Sequence, residues 1–146
     1  LDMDERRLAL ADRIELVFGP LVDVKEFPEN VDVTLVEGAV STDADLRKIR
    51  QVRERTRLLV SFGDCAVTGN VPALRNLLAP GAAFDVYETP PTEVVPEFLR
   101  VRPVHEIVPV DFYLPGCPPP ADLIHDTLVA LVEGRRPELG APRFGN

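Results

Sequence analysis

The stretch RLLVSFG, at positions 57–63, is a continuous apolar run that ends in a glycine. Successive side chains of a strand point to opposite faces of its sheet, so a strand that lacks polar alternation is covered on both faces. Covering on both faces is typical of parallel sheets, whose crossover connections place helices over the strands. The run therefore predicts a buried strand of an α/β fold, and Cys65 follows its carboxyl end.

The segments around this strand predict further strands and helices in alternation. VDVTLVEGAV, at 31–40, alternates apolar and polar residues and reads as a strand. Thr42 and Asp45 have the spacing of a capping box at the start of a helix. The apolar residues of that helix recur at helical spacing and are Leu46, Ile49 and Val52.

Both ends of the chain also predict regular elements. DERRLALADRIE, at 4–15, predicts a first helix, with Leu8, Ala11 and Ile14 or Glu15 at helical spacing. EIVPVDFYLPG, at 106–116, predicts a last strand, which Pro109 assigns to a sheet edge or a bulge. A final helix follows from CPPPADLIHDTLVALVEG and ends before Gly134. Strands and helices in this order predict a mostly parallel α/β sheet.

Composition limits the classes of partner. The 146 residues are 45% apolar, which fits a single domain over 1–146. The net charge of −8 disfavours nucleic acid and anionic membranes as partners. Because the chain has no apolar run long enough to span a bilayer, we expect a soluble protein.

Residues 79–107 contain several prolines and show no sustained periodicity. A long irregular segment is unusual in a compact domain unless it serves a site or packs on another subunit. The preceding stretch PALRNLL predicts a short helix. We expect residues 79–107 to serve a site or to pack on another subunit.

Unusual turns follow the predicted strands. Ligands of open α/β sheets bind at the carboxyl ends of the strands, where such turns converge. We therefore expect both cysteines of the chain at one edge of the sheet. The turns are Glu37-Gly38, Gly63-Asp64-Cys65 and the segment 115–120, which contains Cys117.

The two cysteine turns suit a bound inorganic group. Gly63 and Gly116 permit tight backbone geometry and close approach to a bulky ligand. The prolines at 118–120 stiffen the second turn, and the helix that follows favours the thiolate of Cys117.

Other roles for the cysteines remain open from the residues alone. The carboxylate of Asp64 beside Cys65 disfavours a catalytic thiolate unless a metal supplies positive charge. His105 and His125 lack metal-ligand spacing and are expected to be surface or packing residues. Free cysteines are common in cores as small apolar residues, and two thiolates cannot complete a four-thiolate cluster.

Four segments together resemble a known family, the small iron-sulfur subunit of nickel-iron hydrogenases. The resemblance is strongest to the cytosolic NAD-reducing branch, and the family is related to the cluster-bearing 20 kDa-type subunit of respiratory complex I. The segments are LDMDERRLALADR at 1–13, VEGAV at 36–40, GDCAVTGNVPALRN at 63–76 and LPGCPPP at 114–120.

The resemblance implies a flavodoxin-like α/β domain, with helices on both faces of the sheet, that holds a 4Fe-4S cluster. Cys65 and Cys117 match two of its four thiolate ligands, and Gly63, Gly116 and Glu37 lie around it. The family's other two ligands belong to a C-x-x-C motif, which we expect upstream of Leu1 together with the first strand.

The implied function is electron transfer from a nickel-iron large subunit, which activates hydrogen, to a diaphorase module with flavin and iron-sulfur centres that reduces NAD. Glu37 is a candidate proton carrier. Residues 79–107 and Thr68–Leu77 are candidate contacts with partner subunits, because a cluster relay needs close docking at both ends. A flavin near this subunit is conceivable, although no residue pattern supports one. The alternatives are a subunit of a complex I-like or other non-NAD hydrogenase complex, and a non-redox interaction module with the same fold.

Overall fold

The structure is a computed structural model that describes residues 5–79, 82 and 98–138. The helices are α1 (Arg6–Ala11), α2 (Asp43–Arg55), α3 (Gly63–Thr68) and α4 (Ala121–Val132), with 3-10 helices at Val71–Leu77 and Val104–Glu106. The strands are β1 (Val31–Glu37), β2 (Val40–Thr42), β3 (Thr56–Phe62), β4 (Phe98–Arg102) and β5 (Phe112–Leu114). None of the described helices is long and apolar enough to cross a membrane.

A parallel three-stranded sheet forms the centre of the fold, in the order β1-β3-β5. β1 pairs with β3 from Val31 opposite Thr56 to Glu37 opposite Phe62, and the Thr34 and Thr56 hydroxyl oxygens lie 2.8 Å apart. β5 lies at an edge of this sheet, which agrees with the edge position that Pro109 predicted. The predicted α/β fold with a mostly parallel sheet is therefore confirmed.

The middle strand, β3, is covered on both of its faces. Leu59, Val60 and Ser61 are fully buried, and adjacent residues of a strand point to opposite faces. α2 and α3 both pack against β3. Leu59 belongs to a core that also contains Ile49 and Val52 of α2. The continuous apolar run thus marks a strand with neighbours above and below it, as predicted.

The predicted capping box is present at the start of α2. The Asp45 amide donates to the Thr42 hydroxyl oxygen at 3.1 Å, and the Thr42 amide donates to the Asp45 carboxylate at 2.9 Å. The Ser41 amide and hydroxyl donate to the same carboxylate oxygen. These bonds satisfy donors that the first turn of a helix otherwise leaves free.

The segment predicted to be irregular contains regular structure in part. β4 pairs antiparallel with β2 to form a second, two-stranded sheet, and a 3-10 helix follows at Val104–Glu106. The prediction was wrong for this part because β4 is stabilised by a strand distant in sequence, which periodicity does not reveal. The remainder, at 80, 81 and 83–97, lies outside the described residues.

The stretch PALRNLL forms the predicted short helix, as a 3-10 helix at Val71–Leu77. Its polar side chains attach it to the two-stranded sheet. The Asn76 side chain donates to the Val101 carbonyl at 2.9 Å and accepts from the Val101 amide at 2.8 Å. The Arg75 guanidinium donates to the carbonyls of Ser41 in β2 and Leu99 in β4.

The last helix, α4, ends as predicted, at Gly134. This glycine has a φ of +69°, its amide donates to the Leu131 carbonyl, and the Arg135 amide donates to the Ala130 carbonyl at 2.8 Å. That pair of bonds is the Schellman motif, in which a left-handed residue ends the helix. Thr127 and Ala130 are the residues that α4 buries.

The first helix is shorter than predicted, because α1 covers only Arg6–Ala11 of the range 4–15. Its buried residue is Leu10, whereas Leu8 is 62% exposed, so the predicted apolar face was also wrong. Six residues make less than two turns, which is too short for spacing to define a face. No side chain caps its first turn.

Candidate metal centre

The two cysteines lie at the same edge of the parallel sheet. β1, β3 and β5 run in the same direction, so their carboxyl ends meet there. The residues that end or follow these strands line one cavity of about 280 Å³. Its lining residues are Glu37, Phe62, Gly63, Asp64, Cys65, Gly116, Cys117, Pro118 and Pro119. The structure thus brings together all five residues that the sequence analysis assigned to the site.

The two cysteine turns are joined through Asp64. Its amide donates to the Gly116 carbonyl at 2.9 Å, and its carboxylate accepts from the Gly116 amide at 2.7 Å. From the sequence alone, Asp64 is only a negative charge beside Cys65. The sequence contains no direct signal for the hydrogen bonds, because Gly116 lies in a turn that follows a different strand.

Glycine is required before each cysteine by the local geometry. Gly63 has a φ of +79°, a conformation that side chains disfavour, although a Cβ there would make only an ordinary contact, 3.5 Å from the Gly116 carbonyl oxygen. Gly116 has a φ of +136°, and a Cβ there would lie 2.5 Å from the Pro119 Cα. The tight geometry predicted for both turns is therefore present.

Cys65 and Cys117 differ in their surroundings. Cys65 lies in the first turn of α3 and is half-buried. Cys117 is exposed, in a turn that contains a cis peptide bond to Pro118 and the buried residue Pro119. Both cysteines are free, and both line the cavity.

Glu37 supplies a further carboxylate at the cavity. It is the last residue of β1 and is exposed to solvent. Its side chain makes no hydrogen bond or ion pair with the part of the chain that the structure describes. Gly38 follows with a φ of +86°, which turns the backbone away directly after this carboxylate.

The histidines lie outside this cavity. His105 contacts the Tyr113 ring edge-on, with centroids 5.8 Å apart, and the His125 Nδ1 lies 3.1 Å from an Asp126 carboxylate oxygen. Within residues 5–79, 82 and 98–138, no group of three or more His, Cys, Asp or Glu is arranged to hold a metal ion. The described site therefore offers two thiol donors.

The chemistry of these donors fits part of an iron-sulfur site. Cysteine thiolates are the ligands that hold iron-sulfur clusters. The cavity is lined by both cysteines, by glycine and proline residues of the two turns, and by Glu37, Phe62 and Asp64. These residues fit two of the four ligands of a 4Fe-4S cluster. Metal binding by Cys65 and Cys117 stays a prediction.

Similarity to a known protein family covers most of the chain. The family model described as NADH ubiquinone oxidoreductase, 20 Kd subunit, matches residues 1–131. The chain belongs to this family. The relationship to the 20 kDa-type subunit that the sequence predicted is confirmed, and the α/β fold with its parallel sheet is the fold of a 20 Kd subunit family member.

Similar members of the 20 Kd subunit family are hydrogenase subunits. The HoxS subunit delta of the NAD-reducing hydrogenase of Cupriavidus necator is 38% identical over 149 residues, which cover 92% of this chain and 71% of that protein. A vhu subunit of the F420-non-reducing hydrogenase of Methanocaldococcus jannaschii is 34% identical over 150 residues, which cover 95% and 52%. The chain spans about half the length of such F420-non-reducing hydrogenase relatives.

A solved structure supports the same assignment. A chain of an NAD+-reducing [NiFe]-hydrogenase, in the H2-reduced state, superposes with a TM-score of 0.91 at 37% identity. The match covers 99% of this chain and 87% of that chain. The resemblance to hydrogenase small subunits, which the sequence motifs predicted, is therefore confirmed.

Proposed function

We propose that this chain is the electron-transfer subunit of a nickel-iron hydrogenase and that Cys65 and Cys117 bind a 4Fe-4S cluster. The observation that carries the proposal is the position of both thiols in one cavity, at the carboxyl ends of adjacent parallel strands. When bound, such a cluster accepts and donates single electrons. Hydrogen itself is activated on the large subunit, so this chain conducts electrons.

The remaining two cluster ligands come, in this proposal, from a C-x-x-C motif upstream of Leu1. The support is the resemblance to the hydrogenase small subunit, in which such a motif precedes the segment that matches residues 1–13. Determining the sequence of the native polypeptide upstream of Leu1 tests this step directly. A native polypeptide without two further cysteines there would contradict a ligand set supplied entirely by this subunit.

The turns around the cysteines have a defined task in this function. The backbone at Gly63 and Gly116 holds each sulfur donor at the wall of the cavity and leaves room beside it. The exposed Glu37 carboxylate, which lines the same cavity, is proposed to take up and release protons near the subunit interface.

Exposed apolar residues on the 3-10 helix Val71–Leu77 and at Leu78 support a partner surface. Arg75 and Asn76 attach the 3-10 helix Val71–Leu77 to the two-stranded sheet. In contrast to these polar side chains, four apolar side chains of the segment are exposed to solvent. We call them the 71–78 patch: Val71, Leu74, Leu77 and Leu78. A run of apolar residues that the described part of the chain leaves uncovered is typical of a subunit contact. We assign the patch to the nickel-iron large subunit.

NAD is the proposed final acceptor, through a diaphorase module with flavin and iron-sulfur centres, in the cytoplasm. The similarity to the NAD-reducing HoxS subunit delta supports this acceptor. The similarity to F420-non-reducing hydrogenase subunits favours a second candidate, a hydrogenase that does not use NAD. Hydrogen-dependent reduction of NAD by the purified complex separates the two, because the second candidate would reduce artificial dyes but not NAD.

Substitution of the cysteines tests the electron-transfer function. In the complete complex, Cys65→Ser and Cys117→Ser should each lower the iron and sulfide content by about one 4Fe-4S cluster. Hydrogen-dependent reduction of the electron acceptor should also fall. Tyr113→Phe, which changes β5 outside the cavity, is the matched control and should leave both quantities unchanged. Unchanged iron and sulfide in both cysteine variants would favour the non-redox interaction module instead.

A further inference from the structure

Asp64 connects the two cysteine turns at the point where the sheet stops connecting them. The backbone pairing of β3 with β5 ends at Phe62 opposite Leu114. Two residues beyond the end of each strand, Asp64 and Gly116 form two hydrogen bonds with each other, of 2.9 Å and 2.7 Å. Within the described part of the chain, these are the bonds that join the two turns.

The two hydrogen bonds between Asp64 and Gly116 lie directly beside the cysteines in the sequence. Asp64 directly precedes Cys65, and Gly116 directly precedes Cys117. One bond uses the Asp64 amide and the other uses its carboxylate Oδ1, so the side chain supplies half of the connection. A shift of the Gly116 backbone would move the Cys117 sulfur relative to that of Cys65.

The backbone of Gly116 has an unusual conformation. Its φ of +136° is a conformation that only glycine adopts readily, and Pro119 packs against it. The Gly116 amide donates to the Asp64 carboxylate, and this bond fixes the direction in which the amide points. A hydrogen bond to a charged acceptor is about twice as strong as one between neutral groups.

We propose that Asp64 is a positioning residue: by accepting the Gly116 amide, its carboxylate fixes the spacing between the Cys65 and Cys117 sulfur atoms for cluster binding. The inference rests on the proposed function of these cysteines as cluster ligands. Asp64 makes no bond to iron in this scheme. It acts through the backbone of the Cys117 turn.

The test compares two variants of Asp64 in the complete complex. Asp64→Asn keeps an oxygen that can accept the Gly116 amide, whereas Asp64→Ala removes the acceptor. Residues that orient metal ligands typically affect metal retention by roughly 10- to 100-fold. We therefore expect Asp64→Ala to lose cluster iron to a chelator roughly 10- to 100-fold faster. Asp64→Asn should retain most of its iron and keep the wild-type electron paramagnetic resonance g-values.

A second side-chain bond in the same turn provides the control. The Thr68 hydroxyl donates to the Asp64 carbonyl at 2.8 Å without reaching the Cys117 turn. Thr68→Val removes this bond, and the bond that the same hydroxyl accepts from the Asn70 amide, at nearly constant shape. Its iron retention and g-values should match those of the wild type. Iron loss in Thr68→Val equal to that in Asp64→Ala would overturn the proposal, because general loosening of α3 would then explain both.

Hydrogen exchange gives a readout that is independent of the cluster. The Gly116 amide should exchange slowly in the wild type, Asp64→Asn and Thr68→Val, and quickly in Asp64→Ala. If Asp64→Ala fails to assemble, Asp64→Asn decides: rapid exchange and rapid iron loss in that variant contradict the acceptor role. If Cys117→Ser loses the cluster but Asp64→Ala retains it fully, the positioning role of Asp64 is refuted and the proposed cluster binding by the cysteines is not. Unchanged iron in Cys117→Ser would refute the proposed function.

Discussion

At the scale of single residues, the cysteine turns are defined more by what glycine permits than by what the cysteines contact. Cys65, Cys117, Gly63 and Gly116 could all be singled out from the sequence, because a glycine shortly before a thiol at a strand end is a local pattern. The role of Asp64 could not, because its acceptor function depends on a turn that only the folded sheet brings near.

The geometry of Gly116 predicts a large effect of adding one carbon atom. In Gly116→Ala, the new Cβ would lie 2.5 Å from the Pro119 Cα, so the backbone must shift. We expect a loss of roughly 2 kcal/mol or more in the free energy of unfolding, together with loss of bound iron. Denaturant titration and iron analysis measure the two effects.

Gly134→Ala is the matched control for this prediction. Gly134 also has a positive φ, +69°, but a Cβ there meets nothing within 4 Å. The expected cost is therefore only the left-handed backbone penalty of about 1–2 kcal/mol, with iron content unchanged. Equal effects of the two substitutions on iron would mean that contact with Pro119 does not constrain the Cys117 turn.

At the scale of elements, local signals and distant partners had different predictive value. The capping box of α2, the buried strand β3 and the end of α4 each depend on nearby residues, and all three were predicted correctly. β4 was missed because its partner, β2, is remote in sequence. The extent of α1 was overestimated because spacing without capping does not set where a short helix ends.

The hydrogen bonds at the start of α2 should make the free energy of unfolding depend on pH. Burial alone would raise the pKa of Asp45, but hydrogen bonds from Ser41 and Thr42 outweigh it and hold the pKa below its usual range. Because the folded pKa lies below the unfolded one, the stabilisation is complete above the unfolded pKa near 3.8 and is lost as the pH falls through the folded pKa.

Asp45→Asn is therefore expected to lower the free energy of unfolding at pH 7 by about 1 kcal/mol. The difference from the wild type should shrink as the pH falls below about 4. Urea titrations at both pH values measure it. Asp23→Asn, at an exposed position outside any described hydrogen bond, should leave the difference near zero throughout. A deficit of Asp45→Asn that stays constant down to pH 3 would contradict the linkage.

The 71–78 patch should be needed for assembly. Leu77 is 83% exposed, so Leu77→Glu should not disturb the core, yet it would place a charge in the proposed contact with the large subunit. We expect at least about a tenfold weaker association, the cost of burying an unpaired polar group. Leu21→Glu, at a position 90% exposed, is the control and should assemble normally. Association can be measured by light scattering or surface binding.

At the scale of the whole molecule, the parallel sheet explains why distant residues form one site. Residues 37, 65 and 117 are far apart in sequence, yet each follows or ends a strand that points to the same edge. Strand direction was predictable from the alternation of elements, and so was the shared edge. The cavity's size and the connection between its walls required the structure, because they depend on how the turns pack.

The last prediction separates proton transfer from electron transfer at this edge. Glu37→Gln removes the carboxylate that lines the cavity while keeping its shape, and it leaves both thiols in place. If Glu37 carries protons, hydrogen-dependent turnover should fall by roughly 100- to 10,000-fold, the usual contribution of one positioned acid or base. Iron, sulfide and the cluster's resonance spectrum should not change. A stopped-flow assay of hydrogen-dependent acceptor reduction, repeated in deuterium oxide, measures the effect, and wild-type turnover in the variant would assign Glu37 no part in proton transfer.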